Sequence, residues 1–164
     1  MGGEKITVRP AVLADVGSLV RMRESNAEAH LVLDPQVYRI PETEAVVRHF
    51  SAVLTEDTTR HAVLVAEVAG RLVGMVEVVR NPDPPDHQIL RPEPSAQIHT
   101  VVTDEARNQG IGSMLLEAAE DWAAAQGIGY LSAGIHHRNA GAVRFYGRHG
   151  YADSGRLLGR RVTA

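Results

Sequence analysis

The 164-residue sequence contains no cysteine. That excludes disulfides and zinc–thiolate sites, and it leaves no thiol to carry an acyl group covalently, so any acyl transfer is expected to be direct. Lysine is almost as scarce, with Lys5 standing alone. A Walker loop needs Gly-Lys-Ser/Thr and a protein kinase needs a lysine on its third strand, so neither phosphoryl-transfer scheme fits. There is no run of basic residues and the formal charge is −3, which argues against a nucleic-acid binder that relies on a broad basic surface. The first residues, MGGEKITVRP, hold no apolar signal core, and Ile6 stands where a myristoylation motif wants Ser or Thr. The expectation is a soluble cytoplasmic protein with no membrane association. It is expected to fold as one domain over residues 1–164, long enough for a real core and without repeats.

What is present is organised around residues 97–126, QIHTVVTDEARNQGIGSMLLEAAEDWAAAQ. Residues 98–102 are β-branched and apolar enough to lie inside a sheet. From Arg107 the loop reads Arg-Asn-Gln-Gly-Ile-Gly-Ser, and Gly110 and Gly112 remove the Cβ atoms that would hold a ligand off the backbone. A helix follows from about Gly110, with Ile111, Met114, Leu115, Ala118, Trp122 and Ala125 on its core face and Gln126-Gly127 at its end. Its glycine-rich first turn offers N–H groups and the positive end of the helix dipole, with Arg107 nearby in sequence, a pattern suited to phosphate. A dinucleotide fingerprint would need a third glycine where Leu115 stands, so that reading fails.

A second motif lies downstream in LSAGIHHRNAGAVRFYGRHGYADSG. Leu131, Ala133 and Ile135 alternate as in a half-buried strand; Asn139 is a good N-cap; Ala142, Val143 and Tyr146 follow at helical spacing before Gly150. Arg-x-x-Gly-x-Gly after a buried strand, then Asn139, Ala142 and Tyr146 followed by Gly150-Tyr151, resembles the GNAT superfamily of N-acetyltransferases. The close match covers residues 97–153; the amino-terminal half agrees in element order only.

That order begins with a strand over 6–9, closed by Pro10, and a helix over 14–25 with Val16, Leu19, Val20 and Met22 near one face. Residues 25–41 show no clear period. Pro41 opens a second helix over 41–54, with Val46, Val47, Phe50 and Leu54 apolar. Strands over 61–68 and 72–79 are joined at Ala69-Gly70-Arg71 as a hairpin. Residues 81–95 hold five of the eight prolines and read as a surface loop, with a lid or dimer contact as the alternative. A last strand is expected over 157–162. The fold class is α/β: a mixed, mostly antiparallel sheet of six to seven strands flanked by four helices, the arrangement the resemblance implies.

The resemblance also implies acetyl-CoA as cosubstrate and no metal. Its pyrophosphate would lie in the loop of Arg107, Asn108, Gln109, Gly110, Ile111, Gly112 and Ser113. Its pantetheine arm would insert beside the motif strand, paired with backbone groups of Thr100, Val101 and Val102, where one N–H near Val101 or Val102 polarises the thioester carbonyl. Asn139 would touch the same arm or serve only as a cap. Tyr146 stands where the family usually has its acid, since a phenol of pKa about 10 can protonate a thiolate of pKa about 8.5; the alternative is packing with Phe145. Arg107 has a plain alternative as a solvated loop arginine. Some relatives carry glutamate at the position of Gly134, or glutamate or histidine at those of Ala96 and Ile98, and this chain has none of these. His99 is the nearest substitute base, with Glu77 and water as alternatives. His136 and His137 are adjacent, so on a strand they would face opposite ways and share no metal. Glu24, Glu28, Asp34, Glu42 and Glu44 favour a cationic amine acceptor, a small molecule or a peptide. The competing class is a GNAT-shaped regulatory module that binds acyl-CoA without turnover. A homodimer through the last strands or the proline-rich loop is left open.

Overall fold

In the computed structural model, which describes residues 3–163, strand β1 (Ile6–Pro10) pairs with β2 (His61–Val68) across two intervening helices, α1 (Val16–Leu33) and α2 (Thr43–Thr55). Strands β3 (Arg71–Arg80) and β4 (Ser95–Val102) continue the sheet antiparallel. Helix α3 (Ile111–Ala125) then returns the chain to a parallel strand, β5 (Tyr130–Ser132). The sheet order is β1-β2-β3-β4-β5. Helix α4 (Ala140–Arg148) follows. The chain forms two compact units, Met1–Gly134, which holds the sheet and α1 to α3, and Ile135–Ala164, which holds α4.

Turn chemistry explains the joints. Val68 pairs with Arg71, leaving a two-residue loop in which Ala69 (φ 50°) and Gly70 (φ 77°) are both left-handed, as in the type I′ turn that matches strand twist. At the end of α3, Gly127 (φ 72°) lets its own N–H reach Ala124 O (3.1 Å) while the Ile128 N–H reaches Ala123 O (2.9 Å), a complete Schellman motif with both Ile128 and Ala123 buried. Helix α4 closes the same way, with Gly150 bonded to Gly147 O and Tyr151 to Tyr146 O, and the rings of Tyr146 and Tyr151 meeting edge to face. Its start is capped as expected, the Asn139 side chain accepting from the Ala142 N–H at 3.2 Å.

The two faces of the sheet are covered differently. Leu19, Val20 and Met22 of α1 and Val46 and Phe50 of α2 pack on Val63, Val65, Met75 and Val101. Helix α3 lies on β2, β3 and β4 and buries Ile111, Leu115, Leu116, Ala119 and Ala123. It approaches β3 at Gly74, where a Cβ would lie 2.9 Å from Leu115 Cδ1 and 3.0 Å from Val101 O.

Three expectations need correcting. Helix α1 runs to Leu33, through residues that lack an apolar period. The sheet has five strands rather than six to seven: β5 ends at Ser132, and no strand forms over 157–162. Leu157 and Leu158 are adjacent, so no strand could bury both on one face, and Gly155, Gly159 and three arginines surround them. Leu157, Leu158 and Val162 are almost fully exposed. His136 and His137 are not on a strand, and their rings stack at 4.4 Å.

Candidate active site

The glycine-rich loop begins where β4 ends. Thr103 opens a 3-10 turn, Asp104–Ala106, whose Ala106 is buried and fixes the turn against the core. Asn108 (φ 62°) and Gly110 (φ 78°) are both left-handed and bring the chain round into α3. Gly110 is the N-cap and supplies no side-chain cap, so no side chain covers the first-turn amides from that position. A Cβ on Gly110 would meet nothing within 4 Å. Its requirement for glycine is thus conformational, and the space beside it is open. Arg107 is exposed and pairs with exposed Asp104 at 3.1 Å, a contact of little energetic weight that an anion can replace. Gln109 turns back onto Glu105 O. These features fit a diphosphate at the N-terminus of a 15-residue helix.

Beside this loop the sheet changes partners. The β3–β4 ladder runs from Ala96 to Val102, whereas the β4–β5 ladder joins only Ser95, Ala96 and Gln97 to Tyr130, Leu131 and Ser132. The two strands therefore part after Gln97. The direction of each amide follows from two bonds: Asn81 N–H to Ser95 O and Thr103 N–H to Val73 O, both 2.9 Å. In an antiparallel ladder, hydrogen-bonded positions alternate, so residues 97, 99 and 101 also address β3, while Ile98, Thr100 and Val102 turn their backbone toward the β5 side. Of the two amides considered for the thioester carbonyl, that of Val102 is the one on this side. Val101 has its backbone committed to Met75 and its side chain in the core.

The face of β3 and β4 that carries Met75 and Val101 under α1 and α2 also carries polar groups that the sequence did not bring together. Glu77 is 5% exposed. Its Oε1 accepts from His61 Nε2 (2.6 Å) and His49 Nε2 (2.8 Å), and its Oε2 pairs with the Arg23 guanidinium, which lies over the Phe50 ring. Burial works against its charge, but the two imidazoles and Arg23 outweigh it and hold the carboxyl far below the usual carboxylate range. His99, paired with Glu77 across the β3–β4 ladder, lies on the same face, 3.1 Å from Asn26 Nδ2 through its Nε2. Burial first, then Arg23, pushes its pKa below the ordinary histidine value, so His99 is neutral near pH 7. With the Asn26 amide nitrogen facing it, Nε2 accepts and the ring proton sits on Nδ1. Neighbouring His30 bonds to Asn26 O through Nδ1 (2.8 Å).

Tyr146 is buried on α4 against Phe145 and Tyr151. Of the acidic residues read as an acceptor site, Glu24 accepts from Thr43 Oγ1 (2.6 Å), tying α1 to the start of α2 between Glu42 and Glu44, and Asp34 accepts from the Gln36 N–H. A separate cavity of about 620 Å³ is lined by Arg9, Arg21, Arg71, Thr103, Asp104 and Glu105 among others, and holds none of the expected catalytic residues.

The acetyltransferase (GNAT) family profile matches residues 22–151. The chain belongs to the GNAT family. No curated protein sequence matches it. Among solved structures it is similar to the aminoglycoside N-acetyltransferase AAC(6′)-Iy in complex with CoA, at 15% identity and TM-score 0.78, covering 99% of this chain and 98% of that one. A transcriptional regulator from Bacillus halodurans C-125 aligns at 24% identity and TM-score 0.75, over 96% and 100% of the two chains. Glucosamine-6-phosphate N-acetyltransferase from Arabidopsis thaliana aligns at 16% identity and TM-score 0.69, over 98% and 100%. At these identities the likenesses establish the GNAT fold. Among the described residues no helix is long and apolar enough to cross a membrane.

Proposed function

We propose that this GNAT protein is a cytoplasmic, single-domain N-acetyltransferase that transfers the acetyl group of acetyl-CoA directly to a primary amine. The observation that carries the reading is the coincidence, at one end of β4, of the β4–β5 divergence and the uncapped glycine-rich start of α3. Arg107, Asn108, Gln109 and the first-turn amides from Gly110 to Ser113 hold the diphosphate. The Val102 N–H, on the β5 side, is the donor for the acyl carbonyl. Acetyl-CoA supplies the activated thioester. Tyr146 as acid and Asn139 as a cofactor contact rest on the motif match. The names of two structural neighbours, an aminoglycoside and a glucosamine-6-phosphate acetyltransferase, favour a small amine such as an amino sugar over a peptide.

For the base, Glu77 is a poor choice, because a carboxylate held so far below its ordinary range has little affinity for a proton. We assign the role to His99, neutral and on the sheet face bordered by α1, with the Asn26 side-chain amide against its Nε2. Removing the Asn26 donor frees the Nε2 lone pair and raises the His99 pKa. The acidic limb of the pH–rate profile of Asn26→Ala should therefore move to higher pH; an unmoved limb assigns the base elsewhere.

Calorimetric titration with acetyl-CoA tests the cofactor directly. Micromolar binding that disappears in the Gly110→Glu, Gly112→Glu variant is the expected outcome, and no binding by folded wild type overturns the reading. A second reading, an acyl-CoA-binding module without turnover, is favoured by the engagement of His99 Nε2 and Glu77 and by the structural likeness to a transcriptional regulator. Thiol release with any amine in a broad panel excludes it.

A further inference from the structure

We propose that His49, His61 and Glu77 form a binding site for one divalent transition-metal cation of the zinc and cobalt class. The three donors come from three elements, α2, β2 and β3, and their ligating atoms all lie within 4.8 Å of one another. Both imidazoles aim Nε2 at the same carboxylate oxygen, Oε1, at 2.8 and 2.6 Å, with ring centroids 5.5 Å apart. Arg23 takes the other oxygen, Oε2. That division matters. Arg23 leaves Oε1 to the two rings alone. By holding Oε2, Arg23 also turns Oε1 toward both histidines, as an outer-shell partner does for a ligating carboxylate.

The donor set selects the ion. Two imidazole nitrogens and one carboxylate oxygen suit zinc, cobalt and their neighbours; calcium and magnesium prefer oxygen alone, and the softest ions prefer the thiolates this chain lacks. Ligand bonds of about 2.0–2.1 Å in a tetrahedral site set donor atoms about 3.3 Å apart, so the two Nε2–Oε1 distances would lengthen by roughly half an ångström while the two Nε2 atoms, within 4.8 Å of each other, would draw together. His49 can make that movement: its side chain is 42% accessible, against 20% for His61 and 7% for Glu77. The accessible side at His49 is also the entry path and the place for a water as remaining ligand. Each ring donates its Nε2 lone pair once that nitrogen has given up its proton.

The cation would tie α2 to β2 and β3, directly opposite His99 on β4. It would be a structural clip on the same sheet face as His99, and its binding does not depend on the proposed reaction. Untagged full-length protein titrated with zinc chloride by calorimetry, and with cobalt(II) followed by visible absorption, tests it. One equivalent of saturable binding is expected, with the d–d bands of a nitrogen- and oxygen-ligated low-symmetry cobalt site, and with magnesium and calcium failing to compete. His49→Ala removes an accessible side chain and should leave circular dichroism unchanged while weakening zinc at least about tenfold; His61→Ala should do the same. His87→Ala, a histidine on the proline-rich loop, should bind as wild type does. Absence of saturable one-equivalent binding, or equal affinity in wild type and folded His49→Ala, overturns the assignment.

Discussion

Glu77 is a buried carboxylate that stays charged because Arg23, His49 and His61 surround it. Its folded pKa lies well below the ordinary 4.5, so between those values the unfolded chain binds a proton that the folded one does not. The stabilisation is fully present above about pH 4.5 and is lost as the pH falls below it. His99 adds an earlier loss, since its folded pKa is depressed from 6.5 and only the unfolded chain takes up that proton as the pH falls below 6.5. Denaturant midpoints of the wild type should therefore decline in two steps, below pH 6.5 and again below pH 4.5. Glu77→Gln should be less stable at pH 7 and lose most of the second decline; an unchanged slope below pH 4.5 would refute the assignment. At the same scale, Tyr146→Phe should lower kcat with acetyl-CoA affinity unchanged if the phenol is the acid, and a normal turnover rate would return it to a packing role. None of the Glu77 cluster was legible as a unit in the sequence. Its members span 54 positions between Arg23 and Glu77, and each looks like an ordinary charged or polar residue until the sheet and two helices bring them together.

At the scale of elements, legibility followed locality. The β2–β3 hairpin, the glycine loop leading into α3 and the Asn139 cap depend on neighbours within a few positions, and each forms where the residues indicated. The second half of α1 did not show itself for a physical reason. Arg23 and Asn26 occupy the helix face that continues from Leu19 and Met22 and turn inward onto Glu77 and His99, while His30 bonds back to Asn26 O. The inward face is polar there, so the apolar period fades while the helix persists. Glycines give two contrasting predictions. Gly74→Ala should destabilise by about 1–3 kcal/mol through overpacking, because the new methyl meets Leu115 and the Val101 carbonyl. Gly110→Ala meets no atom, yet its φ of 78° should still cost about 1–2 kcal/mol. Urea midpoints measure both, and Gly110→Asn should recover part of the loss where Gly74→Ser should not.

For the whole molecule, ligand binding should act on the folded state alone. Acetyl-CoA at a hundredfold excess over its Kd should add about 2.7 kcal/mol, which for a chain of this length corresponds to a rise in Tm of about 5–10 °C; no rise for folded protein contradicts the cofactor assignment. The sheet order is as simple as an order can be; β1 waits for the most distant partner, since α1 and α2 lie between it and β2, and β5 joins β4 across α3. The β2–β3 hairpin closes over two residues and can form first. Its turn nevertheless places an alanine, Ala69, in the left-handed region that asparagine occupies at lower energy. Rate is then the property this one residue governs: Ala69→Asn should accelerate refolding up to about fivefold for 1 kcal/mol gained and leave the unfolding arm of the chevron almost unmoved. Slow closure of that turn would make an alanine at position 69 the pacemaker of the chain.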